Sequence, residues 1–193
     1  MTVIICPGAH SPHLTQEFLR EMSAQLRDAV VFPAERYPAY SAWHLIQFLE
    51  ETLEERQCDA PILLIGFSAG VVAAIATAWY WQFKGRTVRA LIALDGWGVP
   101  LRGRFPIHRI SHDEFTHWSS SLGEHLSDCF YADPPVEHLN LWRSPSSATG
   151  QWIRQSTYAS CRIHPLLPPP ALTTRTTAAE FMGMLLQTYG YSE

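Results

Sequence analysis

Lysine is almost absent from this sequence: Lys84 is the single one among 14 basic residues, which face 18 acidic ones for a formal net charge of −4. With so little positive charge the chain has no electrostatic footprint for a phosphate backbone, which excludes nucleic acid as a partner. Long hydrophobic runs are missing too. The apolar stretches break well before the roughly 18 residues that span a bilayer, so no membrane span is expected. The amino terminus, MTVIICPGAH, lacks the basic leader of a secretory signal, and the expected location is cytoplasmic. Cysteine is sparse: Cys6, Cys58, Cys129 and Cys161 lie far apart and form none of the paired spacings of a zinc or redox motif. No internal repeat or charge run occurs, and the proline cluster from Pro165 to Pro170 reads as a packed connection.

What is present is enough apolar material for one core. A chain of 193 residues, 47% hydrophobic and 12% aromatic, is expected to fold as a single domain over 1–193. Short greasy runs bounded by glycine or proline predict strands at 2–6 (TVIIC), 29–32 (AVVF), 62–66 (ILLIG) and 88–94 (VRALIAL). Helix-length segments separate them: LTQEFLREMSAQLRDA from Leu14, SAWHLIQFLEETLEERQ from Ser41 and AGVVAAIATAWYWQF from Ala69. The alternating order calls for an α/β fold, a mostly parallel sheet of about six strands flanked by helices on both faces. Later, Ser111 with Glu114 and Thr177 with Glu180 have the capping-box spacing, predicting helices from about His112 and from about Ala178. HLNLWR at 138–143 reads as a further strand and YASCRI at 158–163 as a weaker last one.

Between the third apolar run and its helix stands Gly66-Phe67-Ser68-Ala69-Gly70. A serine at a strand-to-helix turn is exposed beside the free amides of a helix N-terminus, and glycines two positions either side leave room for a sharp bend. The competing reading is a turn serine that merely caps the helix. On this motif and the element order, the sequence resembles the α/β-hydrolase superfamily, in particular its small members with little or no cap domain.

The resemblance implies that Ser68 is a nucleophile and that the amides of Ala69 and Ala9 form the oxyanion hole, with His10 close by. It implies an acid after the sixth or seventh strand of the family and a histidine after the last. The loop SPSSATGQW after HLNLWR holds no carboxylate, so the acid falls to Asp95, at the end of VRALIAL in the alternative position that some lipases use. The base falls to His164, after the weak last strand; a proline follows it, where members usually have small residues.

A histidine- and aromatic-rich insertion is expected at about 100–130, with His108, His112, His117 and His125. His112 or His117 is the alternative base, reaching Ser68 from a lid lined by Trp97, Phe115 and Trp118. A metal site from these histidines and Asp113 is not expected, because His112 and His117 are five apart on a helix and point in different directions. No metal or cofactor is implied. The chemistry these residues suit is a serine hydrolase cleaving a small-molecule ester or thioester with an apolar or aromatic group. The alternative is a catalytically inactive protein of the same fold that binds a small molecule, or a protein partner through an aromatic surface around Trp118, Trp142 and Trp152.

Overall fold

The computed structural model describes residues 1–55, 60–120, 127–154 and 172–191. The four apolar runs become strands β1 (Thr2–Cys6), β2 (Val30–Val31), β3 (Ile62–Phe67) and β4 (Val88–Leu94), linked through helices α1 (Pro12–Glu21), α2 (Ala42–Glu55) and α3 (Ala69–Phe83). The second half adds β5 (Ile107–Ser111), α4 (Glu114–Ser120), β6 (Cys129–Ala132), α5 (His138–Arg143), β7 (Thr149–Arg154), β8 (Leu172–Thr177) and α6 (Ala178–Thr188). Among the described residues one sheet forms, in the order β2-β1-β3-β4-β5-β6-β7-β8. Strands β2 to β6 run parallel, and β7 and β8 pair antiparallel at one edge. The α/β sheet expected from the element order is therefore present, with eight strands instead of about six.

Unbroken apolar strands need cover on both faces, because alternate side chains point to opposite sides. Ile5, Ile65 and Ile92 pack on one face with Phe18 of α1, Trp142 of α5 and Phe181 of α6. Ile4, Leu64 and Leu91 pack on the other with Leu45 and Leu49 of α2 and Ala74 of α3. Ala73, Ala74 and Ala78 are fully buried, so small side chains let α3 lie close to the sheet. The thiols of Cys6 and Cys129 are buried in these cores, and burial raises the pKa of both, which removes them as nucleophiles at neutral pH.

Several expectations need correction. The first helix ends at Glu21 and not at Ala29, and the second strand shrinks to Val30–Val31. HLNLWR is α5, not a strand: Leu141 and Trp142 are buried while Leu139 stays 45% exposed. Within 100–130, Ile107–Ser111 forms β5, paired with β4 inside the sheet. Ser111 belongs to β5, and α4 is capped instead by Asp113, whose Oδ1 accepts from the Thr116 amide at 2.6 Å. The Thr177–Glu180 box does form, with the Glu180 amide donating to Thr177 Oγ1 at 3.2 Å and the Thr177 amide to Glu180 Oε2 at 3.0 Å. Trp142 is fully buried, so it takes no part in an aromatic docking surface. YASCRI lies outside the described residues. Among those residues, no helix is long and apolar enough to cross a membrane.

Candidate active site

Strand β3 ends at Phe67 and α3 begins at Ala69, which leaves Ser68 alone as the joint. Its backbone sits at φ 51° and ψ −121°, a left-handed conformation that costs a serine roughly 1–3 kcal/mol. The flanking glycines permit the bend. A Cβ at Gly70 would lie 2.1 Å from the Cys6 carbonyl oxygen, and one at Gly66 would lie 3.0 Å from the Val71 Cα. The Ser68 hydroxyl makes no cap hydrogen bond to α3, so the residue is not there as a helix cap. Its amide donates to the Leu94 carbonyl at 2.9 Å, which fastens the joint to β4. The first amides of α3, that of Ala69 among them, have no helix carbonyl ahead of them to accept, and the positive end of the helix dipole adds to their pull on an anion.

Asp95, which follows β4, also has a positive φ of 50°. Its side chain is 1% exposed and surrounded by donors. Oδ1 accepts from the His112 amide at 2.9 Å, and Oδ2 accepts from Nδ1 of His112 at 3.0 Å and Nδ1 of His138 at 2.7 Å. Burial by itself pushes this carboxyl pKa up. The hydrogen bonds from His112 and His138 and the charge of His112 outweigh it and hold the pKa below the usual carboxylate value.

An ionised carboxylate can only accept, so both rings carry a proton on Nδ1, and a neutral His138 keeps its Nε2 lone pair. The His138 ring also stacks on Phe67, the neighbour of Ser68, at 4.7 Å between centroids. His112 is held differently, since its Nε2 lies 3.4 Å from Asp113 Oδ2. The hydrogen bond to Asp95 raises the His112 pKa against the effect of burial, and the charges of Asp95, Asp113 and Glu137 add to it. The His112 carbonyl accepts from the Val136 amide at 3.0 Å, which draws the loop before α5 toward the end of β5.

Ser68, Ala69, Asp95, His112 and His138 line one pocket of about 370 Å³. Its apolar wall includes Val72, Trp97 and Phe115, which are 40%, 67% and 75% exposed. Of the other expected site residues, Ala9 lies on the loop after β1 and is not among the lining residues. His10, beside it, stands 5.6 Å from the Phe67 ring. His117 is fully buried in α4 with its ring 5.3 Å from Tyr131, and it does not line the pocket. His164 lies outside the described residues. The sequence reading missed His138. The available signal was the break Asp133-Pro134-Pro135 just before it, which ends one element and precedes another. His108 also stands apart from the pocket, with its ring hydrogen-bonded to the Asp128 carbonyl and the Tyr189 hydroxyl. Among the described residues, Asp95, His112 and His138 instead bring three ligand-type atoms within 4.8 Å of one another.

Among solved structures, the chain is similar to YbtT, a type II thioesterase from the yersiniabactin NRPS/PKS biosynthetic pathway. The match has 16% identity and a TM-score of 0.50, covering 74% of this chain and 88% of that one. A serine-to-alanine mutant of the same enzyme matches at 15% identity and a TM-score of 0.50, covering 75% and 89%. The chain has the α/β-hydrolase fold. No protein-family model matches the sequence, and no curated protein does. In this α/β-hydrolase fold, ligands meet the sheet at the carboxyl ends of its parallel strands. Ser68 follows β3, Asp95 follows β4, His112 follows β5 and His138 comes after β6, the last parallel strand.

Proposed function

We propose that the protein is a serine hydrolase acting on esters or thioesters of apolar or aromatic acyl groups. Ser68 attacks the acyl carbonyl. His138 takes the serine proton through Nε2 and returns it to the leaving group. Asp95 holds the imidazole in the required tautomer and stabilises the imidazolium. The amides of Ala69 and Ala9 hold the oxyanion of the tetrahedral intermediate.

The observation that carries this reading is a strained serine, free of any capping duty, in the same pocket as a buried carboxylate that already grips an imidazole by Nδ1. The chain order of Ser68, Asp95 and His138 also fits the family's order of nucleophile, acid and histidine, with the acid in the alternative position after β4 and the histidine after β6 instead of the last strand. The open aromatic wall of Trp97 and Phe115 favours apolar groups over charged ones. Likeness to a thioesterase adds thioesters to the substrate classes worth testing first.

The test is a fluorophosphonate probe followed by mapping of the adduct. Capture at Ser68 is expected, with none in Ser68→Ala. In His138→Ala, kcat/KM toward a 4-nitrophenyl ester should fall at least about a thousandfold. Capture that persists at full rate in His138→Ala would move the base to another residue, and no capture over hours would leave a binding protein of hydrolase fold.

A further inference from the structure

We propose that Asp95, His112 and His138 also form a binding site for a borderline divalent cation of the Zn²⁺ type, and that its occupation silences the hydrolase. The silencing rests on the function proposed above, whereas the binding does not. Zn²⁺ takes imidazole nitrogen at about 2.0–2.1 Å and carboxylate oxygen at about 2.0–2.2 Å, with three protein ligands and a water in open sites. Here Oδ2 of Asp95 lies 2.7 and 3.0 Å from two Nδ1 atoms. A tetrahedral site with such bonds has edges of about 3.3 Å, so Oδ2 needs to draw a few tenths of an ångström away from each Nδ1, while the two Nδ1 atoms, within 4.8 Å of one another, settle to that same spacing. Oδ1 is held by the His112 amide at 2.9 Å, which fixes the carboxylate with one oxygen to offer. Both imidazoles are partly exposed, 26% and 41%, on the walls of an open pocket, so a cation can reach them from solvent. Two nitrogen ligands select against Mg²⁺ and Ca²⁺, which prefer oxygen.

Asp113 is the second, independent observation. A metal-bound histidine nearly always donates its other ring N–H to a carboxylate or carbonyl. The Asp113 carboxylate already stands 3.4 Å from His112 Nε2, which is where that partner is needed.

The proton balance explains the silencing. In the metal-free state each neutral ring holds its proton on Nδ1, donated to Asp95. To bind, each ring gives up that proton through solvent and regains one on Nε2, and the Nδ1 lone pairs enter the metal shell in place of waters. Nothing is oxidised or reduced. The Nε2–H of His112 then donates to Asp113. The Nε2–H of His138 occupies the lone pair that would have taken the proton of Ser68, so the base is lost without any movement of the serine.

Titration calorimetry of full-length protein, stripped with EDTA and dialysed, with ZnCl₂ tests the site. One equivalent should bind, His112→Ala and His138→Ala should each weaken binding at least tenfold, and MgCl₂ should not compete. Hydrolysis and probe capture at Ser68 should fall in step with occupancy and return with EDTA. In the unsubstituted protein, Zn²⁺ should protect His112 and His138 from diethylpyrocarbonate, a measurement that does not depend on a variant folding. Absence of saturable binding, or undiminished binding in both variants, overturns the proposal; so does full activity at full occupancy. Site-specific binding by a zinc-free form that hydrolyses nothing upholds the metal site and overturns the hydrolase reading instead.

Discussion

Gly70 shows how much a single hydrogen atom matters at this bend. An added methyl would lie 2.1 Å from the Cys6 carbonyl oxygen and 2.5 Å from that of Pro7, both backbone atoms that cannot swing aside. Gly70→Ala should therefore destabilise the fold by about 1–3 kcal/mol and slow probe capture at Ser68, read by a thermal melt and a labelling time course. Asp95 is equally constrained. Three donors converge on its two oxygens, and an asparagine offers one oxygen with an NH₂ that repels the third. Asp95→Asn should lower kcat/KM by about 10³ to 10⁴, with the fall appearing in kcat. Ser68 and Asp95 were legible in the sequence because the constraints on them are local: glycines around a bend, and a carboxylate at a strand end. The pairing of His138 with Asp95 was not, because the two lie 43 residues apart, and which histidine meets the carboxylate depends on which segments become strands.

At the scale of elements, the assignment of HLNLWR decided that outcome. Six residues that alternate polar and apolar from His138 to Leu141 and then add Trp142 fit a strand as well as a short helix, and only packing separates the two. Trp142 settles it by stacking on Phe18 at 3.8 Å and 7° and on Phe67 at 5.0 Å and 11°. Four residues before it, on the same side of α5, is His138. Trp142→Ala should cost about 3–5 kcal/mol and also reduce kcat, whereas Trp142→Phe should keep most of both, as measured by denaturant melts and ester hydrolysis. The two capping-box spacings divide for a similar reason. Thr177 ends an edge strand and is free to cap α6, while the ladder of β5 and β6 includes Ser111 and leaves the cap of α4 to Asp113. Thr177→Ala should cost about 1 kcal/mol.

For the molecule as a whole, the parallel centre was visible in the greasy runs of the first half, and the antiparallel edge was not. Strand β8 is LTTRTT, largely exposed, and its threonines carry no apolar signal. Its neighbourhood is tied down partly by His108, which is buried, with Nδ1 donating to the Asp128 carbonyl at 2.8 Å and Nε2 accepting from the Tyr189 hydroxyl at 2.7 Å. Burial holds the His108 pKa below its ordinary value of 6.5, against the opposing hydrogen bond and charge of Asp128. The unfolded chain therefore takes up a proton near pH 6.5 that the folded chain refuses. Stability from this residue is complete above that pH and declines as pH falls, until the folded pKa is passed. Denaturant midpoints measured downward from neutral pH should show the decline, and His108→Gln should flatten it.

Ser68, Asp95 and His112 each directly follow one of three neighbouring strands, β3, β4 and β5, and His138 opens α5 after β6, the next strand in the sheet. No shorter piece of chain than the span from Ser68 to His138 carries all four, and they meet through the pairings of β3 with β4, β4 with β5 and β5 with β6. Under the proposed hydrolase function, a nascent or partly denatured copy is harmless to the acyl compounds around it, and the return of turnover during refolding marks the moment at which these strands have docked.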